Sequence, residues 1–210
     1  MRRKGLVLKK SAKVTYSILN LIGFIAVIVV NALAVLLPIN NRTTEELSDK
    51  YPNLFVPAGI TFSVWGIIYI LLLIFIIYQF VIAARRGEGE RGIFEKIGIW
   101  FFLSCIFNVA WILTWHYEMV WLSLIIMVLL FLSLLIIYVR LGTGRPGIKV
   151  SERICVNIPF SAYIGWITIA TIANATAFLV QINWNRFGLS EQLWTIIVIA
   201  VGAIITLATV

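Results

Sequence analysis

Residues 57–83 read PAGITFSVWGIIYILLLIFIIYQFVIA, and from Gly59 to Ala83 no Lys, Arg, Asp or Glu interrupts the run. About 20 consecutive apolar residues suffice for an α-helix to cross the hydrocarbon core of a bilayer. A helix is also one of the few structures that pairs its own backbone N–H and C=O groups where water is absent. The whole chain agrees with this stretch: 61% of its 210 residues are hydrophobic and 12% charged, against roughly 25% charged in an ordinary soluble domain. Runs of similar character occupy 14–37, 59–83, 97–115, 119–139, 154–180 and 193–210, all free of formal charge. The expectation is an all-α, polytopic transmembrane bundle. The first run is too long for the roughly 7–15-residue core of a signal peptide and reads as a retained helix.

The net charge of +8 sorts by segment rather than forming one patch. Six cations precede the first run (Arg2, Arg3, Lys4, Lys9, Lys10, Lys13), four lie in the second connection (Arg85, Arg86, Arg91, Lys96) and four in the fourth (Arg140, Arg145, Lys149, Arg153). The other side receives Arg42, Lys50 and Arg186. This is the asymmetry of a membrane topology with a cytoplasmic N-terminus. It argues against a nucleic-acid partner, and with no recognisable targeting sequence at the N-terminus the expected location is a bacterial cytoplasmic membrane.

The helices offer little to an enzyme. No intramembrane carboxylate, His or Lys stands ready as a general base. Cys105 and Cys155 form no CxxC or Cys/His cluster, so neither a catalytic nor a metal site is expected. The single histidine, His116, reads as an interfacial residue of the turn between the third and fourth runs.

What the helices do carry is rings and amides at helical spacing. Phe62, Trp65 and Tyr69 fall at i, i+3 and i+7, as do Asn108, Trp111 and Trp115, while Trp166, Ala170 and Asn174 fall at i, i+4 and i+8. Trp100, Trp115, Trp121, Trp184 and Trp194 lie near helix ends and suit an interfacial belt. Trp65, Trp111 and Trp166 lie deeper. Asn108 and Asn174 must face the bundle, because an amide exposed to lipid leaves polar groups unpaired; interhelical hydrogen bonding and ligand contact satisfy them equally. Gly165, Ala170, Ala173 and Ala177 read first as small residues for close helix packing.

These stretches resemble the translocator protein, or tryptophan-rich sensory protein (TspO/MBR), family. PAGITFSVWGIIY (57–69) is similar to its loop-to-second-helix signature, with Pro57, Trp65 and Tyr69 at the family's spacing and Gly59 and Phe62 in keeping. NVAW (108–111) resembles the third-helix motif and WITIATIAN (166–174) the fifth-helix pattern. The resemblance covers about residues 14–182 and implies a five-helix bundle, commonly dimeric, that binds tetrapyrroles, sterols or other aromatic ligands between its helices. By motif, Trp65, Asn108, Trp111, Trp166 and Ala170 would line the pocket and Tyr69 and Asn174 support it. Pro57 and Gly59 would stand at the mouth, and the polar stretch 40–55 would be a lid.

The implied organisation is a basic tail (1–13), a ligand-binding bundle (14–182) and a loop with one additional helix (183–210). The expected ligand is a flat hydrophobic molecule such as a tetrapyrrole, with no required cofactor and no His, Cys or Met placed as an axial ligand to iron. The sequence departs from the family in lacking an acid in the fourth helix, in spreading the fifth helix's Pro and Tyr to Pro159 and Tyr163, and in adding the sixth run. Those departures suit a competing role: a non-catalytic subunit that contacts a partner protein or passes a small solute.

Overall fold

The computed structural model describes residues 10–37, 39–55, 61, 63–84, 92–143 and 147–209. Pro57, Gly59 and Phe62 lie outside these described residues. Among them there is no strand, and the six apolar runs all become helices: α1 (Lys10–Leu36), α3 (Val64–Ala84), α5 (Trp100–His116), α6 (Val120–Leu141), α8 (Ile158–Gln181) and α9 (Glu191–Thr209). Helices α1, α3 and α6, and α8 with the turns that precede it, are long and apolar enough to cross a membrane, whereas α5 and α9 are shorter. With its 17 residues, α5 spans about 25 Å at 1.5 Å per residue.

Short helices fill the connections. The polar stretch after α1 is not a plain loop, because Thr43-Thr44-Glu45-Glu46 is a capping box: Glu46 N–H donates to Thr43 Oγ1 (3.2 Å) and Thr43 N–H to Glu46 Oε2 (2.7 Å). It starts α2 (Thr44–Asp49). A further helix, α4 (Gly92–Ile97), precedes α5, and Gly98 between them has φ +52°, a left-handed conformation that glycine adopts without penalty. The third spanning helix therefore begins after this corner, at Trp100, rather than at 97. Before α8, the short α7 (Val150–Glu152) continues through a π-helical turn, Arg153–Asn157. Pro159 comes just after the π-helical turn, inside a helical stretch that runs from Val150 to Gln181; a proline within a helix removes a backbone donor, and such an interruption goes with a local departure from the α-helical ladder.

The long helices close into a ring: α1 packs on α5, α5 on α6, α6 on α8, α8 on α3 and α3 back on α1. Helix α9 lies outside this ring against α8. The ring's interior is floored by Phe75, Phe101 and Phe160, all fully buried, whose centroids lie 5.0–5.6 Å apart in edge-to-face contacts, an arrangement that adds about 0.5–1.5 kcal/mol per pair beyond burial. At the end of the bundle where α1 begins, Lys13 and Arg140 lie 5.8 Å from the rings of Phe94 and Trp100. This basic end contrasts with the opposite end, capped by α2.

A close helix approach occurs at a glycine without a special signal in the sequence. A Cβ on Gly23 of α1 would stand 2.9 Å from Cys105 Cβ and 3.0 Å from Phe102 Cδ2 of α5. A Cβ on Gly165 would meet nothing within 4 Å, so that residue does not serve the close packing expected of it.

Candidate functional site

Four tryptophans converge beneath α2. Trp65 of α3, Trp111 and Trp115 of α5 and Trp166 of α8 line a cavity of about 50 Å³. Ala170, Ala173 and Asn174 form its α8 wall, and Thr44 and Ser48 of α2 cover it. The rings pack on one another: Trp65 meets Trp166 edge-on at 5.9 Å and stacks with Tyr69 at 5.5 Å, while Trp111 stacks with Trp115 at 6.3 Å.

The amides divide between wall and frame. Asn108 is fully buried and fully engaged: its Oδ1 accepts from Asn31 Nδ2 of α1 (2.8 Å) and its Nδ2 donates to the Tyr163 hydroxyl of α8 (3.2 Å). It ties three helices together behind the cavity. Asn174 does both jobs, lining the cavity while its Oδ1 accepts from Trp111 Nε1 (3.0 Å) and its Nδ2 donates to Ser123 Oγ of α6 (3.1 Å). A buried amide with partners on other helices is the interhelical reading of these residues made concrete.

Three buried polar atoms around the rings have no hydrogen-bond partner among the described residues: Trp115 Nε1, Trp166 Nε1 and the Tyr69 hydroxyl. Leaving such a group unpaired costs about 1–3 kcal/mol. Trp115 and Trp166 are also lining residues, at 6% and 7% exposed. The tryptophans of the site thus supply ring surface, and two of them carry buried N–H groups without a partner among the described residues.

Of the residues singled out by sequence, the structure brings Trp65, Trp111, Trp166, Ala170 and Asn174 to one cavity, sets Tyr69 against Trp65, and places Asn108 behind the wall. Pro57 and Gly59 fall outside the described residues. Trp115, assigned to the interfacial belt, lies inside instead; its position near a helix end hid it, although its i+4 relation to Trp111 was the available signal. Trp121, in contrast, is 58% exposed, as a belt residue should be.

The cover is held by several contacts. Lys50, just beyond α2, forms an ion pair with Glu118 of the turn between α5 and α6. Asn40 Nδ2 donates to the His116 carbonyl (3.0 Å), and Tyr51 packs on Trp115 at 5.9 Å. Burial, reinforced by the Glu118 charge, pushes the Tyr51 phenol above its ordinary value. His116 is buried and ends α5 rather than standing in the turn, and its Nδ1–H donates to the Ile112 carbonyl (2.8 Å). No cluster of potential metal ligands occurs among the described residues.

Searches of curated proteins and of solved structures gave no match. A family model does match, described as TSPO-like protein, and it runs over residues 17–210, through α9 as well as the five-helix ring. With its apolar helices and this match over nearly the whole chain, the protein is an integral membrane protein that belongs to the TSPO-like family.

Proposed function

We propose that this protein binds a flat, apolar molecule bearing hydrogen-bond acceptors, of which a tetrapyrrole with its carboxylates is the leading example, in the cavity beneath α2. The observation that carries this reading is the convergence of four tryptophans with two buried, unpartnered indole N–H donors. Ring faces supply stacking area and the donors supply orientation, a combination that suits small-molecule sites. The donors also give a ligand acceptor a favourable exchange, since they lack a protein partner to surrender.

The cavity volume sets a condition on binding. About 50 Å³ falls well short of the roughly 300–1,000 Å³ of typical ligand pockets. A tetrapyrrole therefore binds by parting the Trp65–Trp166 and Trp111–Trp115 contacts and lifting α2, taking over their stacking. The role is binding or sensing rather than catalysis: the lining offers no His, carboxylate or Lys as general base. The same reading places the N-terminus on the cytoplasmic side of a bacterial membrane, by the distribution of cations, and allows a homodimer through the apolar outer faces.

The test is a titration of detergent-purified protein with protoporphyrin IX, followed by tryptophan quenching. Saturable quenching is expected, with affinity reduced by at least about tenfold in Trp166→Ala, as for loss of a buried aromatic anchor, and unchanged in Trp121→Phe. Non-saturating quenching that is alike in wild type and Trp166→Ala would refute the site.

A further inference from the structure

A second and larger cavity lies outside the ring. It measures about 350 Å³ and opens between the end of α8, the start of α9 and residues 52–55 of the first connection. Unlike the inner cavity, it already has the volume of a small-molecule site. Its walls are apolar in larger part, with Leu179 and Val180 on α8, Val198 on α9 and Phe55 on the connection, alongside the amides Asn53 and Asn183. Trp184 and Trp194 stand beside it with centroids 4.9 Å apart, where α8 ends and α9 begins. Tryptophans at paired helix ends mark the level of the headgroups.

The mouth carries one charge of each sign. Arg186 and Glu191 both line the cavity, 3.4 Å apart, with side chains 45% and 39% exposed. A pair this long and this exposed contributes little, so both groups are available to a ligand. Their positions are nevertheless held. Glu191 Oε1 accepts from Leu54 N–H (3.2 Å), and Trp194 Nε1 donates to the Arg186 carbonyl (2.7 Å). Arg186 and Phe187 take left-handed backbone conformations, at φ 58° and 52°, which are uncommon for non-glycine residues and are maintained where surrounding structure enforces them.

We propose that this cavity binds one zwitterionic phospholipid, with its phosphate at Arg186, its ammonium at Glu191 and an acyl chain lying between α8 and α9 against Leu179, Val180 and Val198. Charge complementarity selects this occupant. A purely anionic head would meet the Glu191 carboxylate, a cationic head would meet the Arg186 guanidinium, and an uncharged head would leave both charges unused. The headgroup-level location and the apolar walls call for a molecule that is charged at one end and alkyl along the other.

The experiment is native mass spectrometry of the full chain, delipidated in detergent, with dioleoyl phosphatidylethanolamine or dioleoyl phosphatidylglycerol added back. One phosphatidylethanolamine per chain should be retained in preference to phosphatidylglycerol. Its affinity should fall about tenfold in Arg186→Gln and in Glu191→Gln, as for loss of a charge-assisted contact, and be abolished by Val198→Trp, which fills the cavity while leaving both charges. Soluble phosphoethanolamine should not compete, which separates a lipid site from a free-headgroup site. Equal retention of the two lipids, competition by phosphoethanolamine, or retention unchanged in all three variants would overturn the proposal. Binding of two protoporphyrin IX molecules per wild-type chain but one per Val198→Trp chain would assign the cavity to that ligand instead. Protoporphyrin quenching sensitive to Trp166→Ala reports the inner cavity alone, so failure at either site is read separately.

Discussion

Removing the Asn174 side chain tests whether the cavity wall and the bundle frame share one residue. Asn174→Ala deletes the acceptor of Trp111 Nε1 (3.0 Å) and the donor to Ser123 Oγ (3.1 Å). Ser123 retains its bond to the Val120 carbonyl (2.8 Å), so only the Trp111 N–H is orphaned. An orphaned buried donor costs about 1–3 kcal/mol, and a lost interhelical bond within a membrane bundle averages about 0.6 kcal/mol. The expected loss is thus about 1.6–3.6 kcal/mol, combining these two contributions. Reversible unfolding in mixed detergent and SDS micelles, followed by circular dichroism, measures it. Trp111→Phe and the double variant complete a cycle, which should show a coupling between Asn174 and Trp111 of about 0.6–1.7 kcal/mol. Additivity to within about 0.3 kcal/mol would refute the hydrogen bond as a tie between α5 and α8.

Two other perturbations follow from the geometry. Gly23→Ala should lower stability by about 1–3 kcal/mol through overpacking against Cys105 and Phe102, whereas Gly165→Ala, with open space around its Cβ, should be neutral or raise stability by up to about 1 kcal/mol; the same unfolding assay ranks them. Lys50→Ala should change stability by less than about 1 kcal/mol, since its pair with Glu118 is exposed, yet speed protoporphyrin dissociation up to about fivefold by loosening α2, as stopped-flow quenching would show.

Much of this architecture was legible because hydrophobic run length is a one-dimensional signal. The six runs became six helices, and Trp65, Trp111, Trp166, Ala170 and Asn174 met at one cavity because their i, i+3, i+4 and i+8 spacings put each group on one helix face. The rest depended on which helix faces which. Trp115 carries the same spacing from Trp111 whether it points into the bundle or to the interface. Gly23 and Gly165 look alike in sequence, and only the arrival of α5 opposite Gly23 distinguishes them. Asn20, Asn31 and Gln79, each buried and bonded to another helix or to its own backbone, have no tryptophan within eight residues to mark them, as Asn108 and Asn174 do.

The hydrogen bonds of α3 are unevenly placed along its length. Near its C-terminal end, Gln79 accepts from Asn20 Nδ2 of α1 (3.0 Å), and the Tyr78 hydroxyl donates to Ser151 (3.4 Å). Towards its N-terminal end, Trp65 meets Tyr163 and Trp166 of α8 through ring contacts at 6.2 and 5.9 Å. Ring contacts tolerate sliding and reorientation, while amide bonds fix distance and angle within a few tenths of an ångström. Helix α3 is thus held near its C-terminal end by hydrogen bonds to α1 and to Ser151, and against α8 by the ring contacts of Trp65 and of Phe75. In the proposed binding mode, the ligand would have to replace the Trp65–Trp166 contact with stacking of its own.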